Sequence, residues 1–161
     1  MSTMTEERPR RKVAAFILRR NHEGRDELLA HAFESDTALP LRVPGGGINP
    51  GEEPEAALRR ELLEETGLPA LELVRKLGVR HYYKPYIKAD VERHDFLLRA
   101  SPDLPDTWVY KVGGEGEDAG ARFSFRWLGV QELDMLDEEH RPYSTLATIP
   151  ELFAQDGSTG S

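Results

Sequence analysis

Residues 46–68 read GGINPGEEPEAALRRELLEETGL, a glycine-containing loop followed by a segment rich in strong helix formers. On a helix of about 3.6 residues per turn, Glu61, Glu64 and Glu65 are related as i, i+3 and i+4, so their carboxylates share one face. Like charges at this spacing repel one another, whereas a hard divalent cation would bind them favourably. Mg²⁺ is usually held by a few carboxylates together with phosphate oxygens of a substrate. The spacing therefore indicates phosphate chemistry at a metal site, with a solvated acidic face as the alternative.

The same stretch predicts the loop and the ends of the helix. The sequence PGGG at 44–47 has three successive positions without β-carbons, so its backbone can approach a ligand closely. An NPG turn at 49–51 follows. We expect the helix to begin near Glu53, with proline in its first turn, and to run through Glu65. Gly67 then stands where a left-handed residue would cap it.

The spacing of these residues resembles the Nudix box of the Nudix hydrolases. Five residues separate Gly46 from Glu52, and seven separate Glu52 from Arg60. No specified position of the box is missing: Gly46, Glu52, Arg60, Glu61, Leu62, Glu64, Glu65, Gly67 and Leu68. The resemblance implies that Glu61, Glu64 and Glu65 bind Mg²⁺ or Mn²⁺, that one of them activates water, and that the carbonyl of Gly46 is a further ligand.

Arg60 and Glu52 are predicted to form an ion pair that supports this site. An arginine beside a metal-binding carboxylate can orient it through a two-pronged hydrogen bond, as metal sites usually require. We therefore expect Arg60 to position the reacting groups rather than to react.

Candidate residues also occur outside the box. In the family a further carboxylate often comes from a separate loop, and GGEGEDAG at 113–120 is the obvious source here, with Glu117 favoured; a flexible acidic loop is the alternative. Aromatic faces and cations that suit a base and phosphates are found at four positions, which we predict to bind substrate: Arg42, Tyr82, Tyr83 and Lys84. The alternative roles are core or edge packing for the tyrosines and solvation of the strand for Arg42.

Substrate identity is not decided by these residues. A proline or a tyrosine beyond the box separates ADP-ribose hydrolases from dinucleoside polyphosphate hydrolases in the family. Pro85 and Tyr86 satisfy both spacings, so the marker does not discriminate. The resemblance implies hydrolysis of a phosphoric anhydride in a nucleoside diphosphate linked to X, with a nucleoside triphosphate or a dinucleoside polyphosphate favoured. The alternative is a non-catalytic module that senses a nucleotide or binds a protein.

The remaining sequence predicts an α/β domain with many strands and few helices. Strands are expected at 13–18, 27–33, 41–43, 71–83, 91–100, 108–112 and 123–128, and a last helix at 145–153. This order resembles the Nudix fold, a mixed β-sheet sandwiched between helices (α/β/α). We assign residues 11–154 to the Nudix hydrolase domain, and 1–10 and 155–161 to flexible tails.

Composition narrows the function classes. The 161 residues, 39% hydrophobic and 31% charged, suit one soluble domain. A net charge of -8 argues against binding of long nucleic acid, and the absence of cysteine excludes disulfides and thiolate nucleophiles. The sequence has no apolar run that would span a membrane and no signal-peptide core, so we expect a cytoplasmic protein. Family members are often dimers, and a homodimer is compatible with the resemblance.

Overall fold

The centre of the molecule is a mixed β-sheet. The computed structural model describes residues 8–38, 40–68, 71–116, 118–145 and 147–154. Its strands and α-helix are β1 (Arg10–Arg20), β2 (Asp26–Phe33), β3 (Gly45–Gly47), α1 (Pro54–Thr66), β4 (Glu72–Lys84), β5 (Ala89–Arg99), β6 (Thr107–Lys111) and β7 (Arg122–Leu128). Within these residues the sheet has seven strands in the order β4-β5-β1-β2-β7-β6, with β3 paired to β1. The pairing of β1 with β5 is parallel and the others are antiparallel. The predicted α/β class is confirmed.

Strand β1 is buried on both faces because apolar residues occupy every position from Val13 to Leu18. Its odd-numbered side chains pack in one core layer with Leu58 and Leu62 of α1. The even-numbered side chains pack in a second layer with Leu133 and Leu152. That second layer is covered by short 3₁₀-helices, which in the described residues are Val130–Met135, Arg141–Tyr143 and Pro150–Phe153. The sheet is therefore enclosed on both faces, as the sandwich prediction requires.

Helix α1 confirms the predicted ends to within one residue. It begins at Pro54, and Gly67 follows it with φ 72°, so the left-handed cap is present. The Gly67 N–H donates to the carbonyl of Leu63 at 3.2 Å. A β-carbon on Gly67 would lie 2.5 Å from the ring of Tyr110, which also requires glycine there.

Two predicted elements are wrong. Residues 41–43 do not form a strand, because only Leu41 and Arg42 make isolated bridges, with Leu136 and His31 respectively. The strand beside β1 is instead the glycine strand β3. The predicted helix at 145–153 is reduced to the 3₁₀-helix Pro150–Phe153. Pro150 explains this difference, because proline has no N–H to donate and disfavours helical backbone at the preceding residue. The predicted tail at 155–161 and residues 1–7 of the other tail lie outside the described residues.

The sheet opens between β1 and β2, and this opening positions the site. β1 pairs with β2 from Leu18 to Arg20, whereas from Lys12 to Ala14 it pairs with β3. β3 therefore pairs with the first part of β1, beyond the stretch where β2 pairs with it. The glycine loop is thereby held between the sheet and α1.

Candidate metal centre and substrate cleft

The glycine strand lies directly against the carboxylate face of α1. A β-carbon on Gly46 would overlap the carboxylate of Glu61, and one on Gly45 would overlap the carbonyl of Val13. The Gly45 N–H donates to Glu65 Oε1 at 3.0 Å. Glycine is therefore required for this close approach, and the loop backbone fixes one of the three glutamates.

Arg60 joins the loop to the helix through five hydrogen bonds. Its Nε and Nη2 bind the two oxygens of Glu52 at 2.9 and 2.8 Å, and Nη2 also donates to the Gly47 carbonyl at 2.8 Å. Nη1 donates to Glu61 at 3.0 Å and to Glu64 at 3.4 Å. The expected ion pair with Glu52 is thus present and bidentate, and the same guanidinium touches two of the predicted ligands. Its role in metal binding stays a prediction.

Electrostatics at this site favour a bound cation. Burial, assisted by the charges of Glu61 and Asp118, raises the pKa of Glu65 to about 8 against the opposing Gly45 hydrogen bond. Burial also raises the pKa of Glu61. In contrast, the hydrogen bonds from Arg60 lower the pKa of Glu52 to about 2. Without a cation the ionised forms of Glu61 and Glu65 are therefore disfavoured, and a bound divalent cation would stabilise them.

A cleft of about 470 Å³ runs along these carboxylates. It brings together most of the residues predicted from the sequence: Gly46, Glu61, Glu64, Glu65, Arg42, Tyr82 and Lys84. Tyr83 does not line this cleft but a neighbouring cavity of about 720 Å³. Tyr86 lines the cleft while Pro85 lines the other cavity.

The loop at 113–120 reaches the cleft, although Glu117 lies outside the described residues. Asp118 of this loop lines the cleft and was missed by sequence reasoning, which identified the loop but preferred the neighbouring carboxylate. The Gly113 N–H donates to the main-chain carbonyl of Glu64 at 2.8 Å, so the loop binds the last turn of α1. A β-carbon on Gly114 would lie 2.5 Å from the Glu64 carboxylate.

Basic residues that line the cleft were also missed. Lys12 and Arg93 are register partners on β1 and β5, and both line the cleft. Arg93 is buried and donates to Asp95 through Nε at 2.7 Å and Nη2 at 3.3 Å. No local sequence signal identifies this pair, because it depends on how distant strands align.

A second group of possible ligands lies beside the cleft. Among the described residues, Asp137, Glu139 and His140 have ligand atoms within 4.8 Å of one another. Glu139 is 2.8 Å from the Lys84 ammonium, and His140 Nδ1 is 2.7 Å from Asp137. Because Lys84 already neutralises Glu139, we assign no metal to this group.

The model of the NUDIX domain matches residues 8–147, so the chain belongs to the NUDIX family. This confirms the resemblance drawn from the box. The hydrolases of this family depend on divalent metal ions.

Known relatives act on several nucleotides. The RNA pyrophosphohydrolase of Cereibacter sphaeroides is 31% identical over 128 residues, 74% of this chain and 65% of that protein. The 8-oxo-dGTP diphosphatase of Haemophilus influenzae is 47% identical over 60 residues, 37% of this chain and 43% of that protein. The Ap4A hydrolase of C. elegans superimposes with a TM-score of 0.62 at 16% identity, over 91% of this chain and 100% of that one, which shows the fold alone. This chain therefore spans just under two thirds of the length of the RNA pyrophosphohydrolase of Cereibacter sphaeroides. In the described residues, no helix combines the length and apolarity needed to cross a bilayer.

Proposed function

We propose that this chain hydrolyses a phosphoric anhydride bond of a nucleotide with the help of Mg²⁺ or Mn²⁺. Glu61, Glu64, Glu65 and the carbonyl of Gly46 would hold the metal. The observation that carries this proposal is the fit of a β-carbon-free strand against a buried, charge-crowded glutamate face. The names of the relatives support a nucleotide as the substrate.

The bound metal would lower the pKa of a water molecule and neutralise charge on the phosphates. The chain's own residues supply positioning. Arg60 fixes the oxygens of Glu61 and Glu64, while the Gly45 N–H fixes Glu65. Asp118, which borders the cleft, is our candidate for the additional loop carboxylate.

Phosphates of the substrate would meet the basic residues of the cleft. Arg42, Lys84 and Arg93 line the same cleft as the glutamates. A substrate held between cations and metal-binding carboxylates is oriented along the cleft, so the anhydride bond is presented to the metal site.

The test is cleavage by metal-stripped protein to which Mg²⁺ is returned. The panel contains nucleoside triphosphates, a dinucleoside polyphosphate and a 5′-triphosphorylated RNA, with products separated chromatographically. We expect Glu64→Gln to lose most turnover while circular dichroism and melting stay unchanged. Glu55→Gln is the matched control, because Glu55 is exposed in the first turn of α1.

Wild-type turnover in Glu64→Gln would contradict the metal-site assignment. Binding of panel members without cleavage by the wild-type chain would instead favour the non-catalytic module.

A further inference from the structure

Two cavities meet at one ion pair. The cleft shares three lining residues with the neighbouring cavity of about 720 Å³, which we call the outer chamber: Tyr82, Lys84 and Glu139. The Lys84 ammonium lies 2.8 Å from Glu139 Oε1. The Tyr82 hydroxyl donates to Glu139 Oε2 at 3.3 Å. These contacts form a partition between the cleft and the outer chamber.

The partition is weakly held. The side chains of Lys84 and Glu139 remain 24% and 29% exposed, and ion pairs with this much solvent contribute little stability. The Tyr82 hydrogen bond of 3.3 Å is longer than a well-formed O–H···O contact. A phosphate can therefore replace Glu139 as the partner of Lys84, which would join the two cavities.

A buried arginine beneath Tyr82 offers a further donor to such a phosphate. The Arg93 guanidinium lies 5.7 Å from the centre of the Tyr82 ring. Its Nη1 is buried and has no hydrogen-bond acceptor within the described part of the chain. Buried donors are nearly always satisfied, and Arg93 lines the cleft, so a phosphate beside Tyr82 is one group that could supply the missing acceptor.

The outer chamber itself suits an uncharged aromatic group. Four carboxylates and three cationic side chains line it, so it does not concentrate phosphate. Tyr83, which is exposed, and the partly buried Met135 supply aromatic and apolar surface. Bases stack on such surfaces with little dependence on sequence.

We propose that the outer chamber binds the second nucleoside of a substrate whose phosphates lie in the cleft and cross the partition at Lys84. This inference rests on the proposed function and narrows its substrate class to nucleotides that carry two nucleosides. The volumes agree with this division, because each cavity falls in the range of about 300–1,000 Å³ typical of small-molecule sites. A mononucleotide leaves the outer chamber unused.

The experiment compares ATP, diadenosine tetraphosphate and a 5′-triphosphorylated diadenylate with Mg²⁺. We expect kcat/KM of the wild-type chain to be about tenfold higher for at least one two-nucleoside substrate than for ATP, the scale of one stacked base. The two arms distinguish a second nucleoside joined through the polyphosphate chain from one joined to the first nucleoside by a 3′,5′-phosphodiester.

Variants test the chamber itself. Glu138 is exposed and lines the outer chamber but not the cleft, so the side chain introduced by Glu138→Trp should fill the chamber. We expect this variant to lose the preference for the two-nucleoside substrate through a higher KM, while kcat/KM for ATP stays within about twofold of the wild-type value. Glu23→Trp is the matched control, in the turn at the opposite end of β1. Glu139→Ala removes the partition and should lower KM for the two-nucleoside substrate about threefold.

The outcomes separate this inference from the proposed function. If the wild-type chain cleaves all three substrates with equal kcat/KM, or if Glu138→Trp keeps the preference, the outer chamber does not bind a nucleoside. If no member of a broad nucleotide panel is cleaved with Mg²⁺ or Mn²⁺, the proposed function itself fails.

Discussion

Replacing Arg60 with lysine tests whether this residue positions the metal ligands. The substitution keeps the positive charge, so the net charge around Glu61 and Glu64 does not change. It removes the planar fork that binds Glu52 bidentately and also reaches Gly47 and Glu61. A single ammonium cannot reach these acceptors at the same time.

The expected magnitude follows from the hydrogen bonds that are lost. A hydrogen bond to a charged group contributes about 1.5–3 kcal/mol, and the bond from Nη1 fixes Glu61 directly. Loss of residues that orient a metal ligand typically weakens metal affinity by about 10–100-fold. We therefore expect the Mg²⁺ concentration for half-maximal activity to rise by about that factor in Arg60→Lys, while kcat at saturating Mg²⁺ falls less.

Steady-state rates measured across a Mg²⁺ titration provide the assay, with Arg59→Lys as the matched control. Arg59 is 48% exposed, and its guanidinium lies 3.9 Å from Glu55, so its substitution should change the Mg²⁺ requirement by less than about twofold. An unchanged Mg²⁺ requirement in Arg60→Lys would refute the positioning role. Equal effects of the two substitutions would refute it as well.

Two further predictions concern the loop and the core. Gly114→Ala should reduce kcat at least about tenfold, because Gly114 has a φ of 75° and the new β-carbon would displace the Glu64 carboxylate. Gly116→Ala is the control and should be neutral, because a β-carbon there meets nothing within 4 Å. Burial lowers the pKa of His31 to about 3, so below pH 6.5 the unfolded chain binds more protons and the native state loses stability as pH falls. Between pH 6.5 and 5 this contribution of His31 should lower the free energy of unfolding, measured with urea, by about 2 kcal/mol. His31→Phe should lack this contribution, and parallel pH profiles of the wild-type chain and the variant would exclude the effect.

Local patterns predicted helix α1 well. The run of helix formers, the proline at 54 and the glycine at 67 define the ends of α1 without any long-range information. The box spacing likewise placed Arg60 beside Glu52, because both sit in one continuous segment. These features depend on neighbours within a few turns.

Features that depend on distant strands could not be read in this way. Lys12 and Arg93 meet because β1 and β5 align in parallel, and residues 81 positions apart give no local signal of that register. The composition around Leu41 and Arg42 predicts a strand, yet these two residues make only isolated bridges, because β3 takes the pairing position beside β1. Asp118 reaches the cleft through the path of a glycine-rich loop, which composition does not determine.

The opening between β1 and β2 also divides the sheet mechanically. β1 follows β5 from Arg10 to Leu18 but meets β2 from Leu18 to Arg20, so thermal fluctuations should separate the two halves along that line first. Lys84 and Arg93 lie on one half, while Arg42 is bridged to His31 on the other. A polyphosphate that touches both sets of cations would act as a clamp across the line. Bound nucleotide should therefore slow amide hydrogen exchange in β2 as well as in β1, although none of the proposed metal ligands lies on β2.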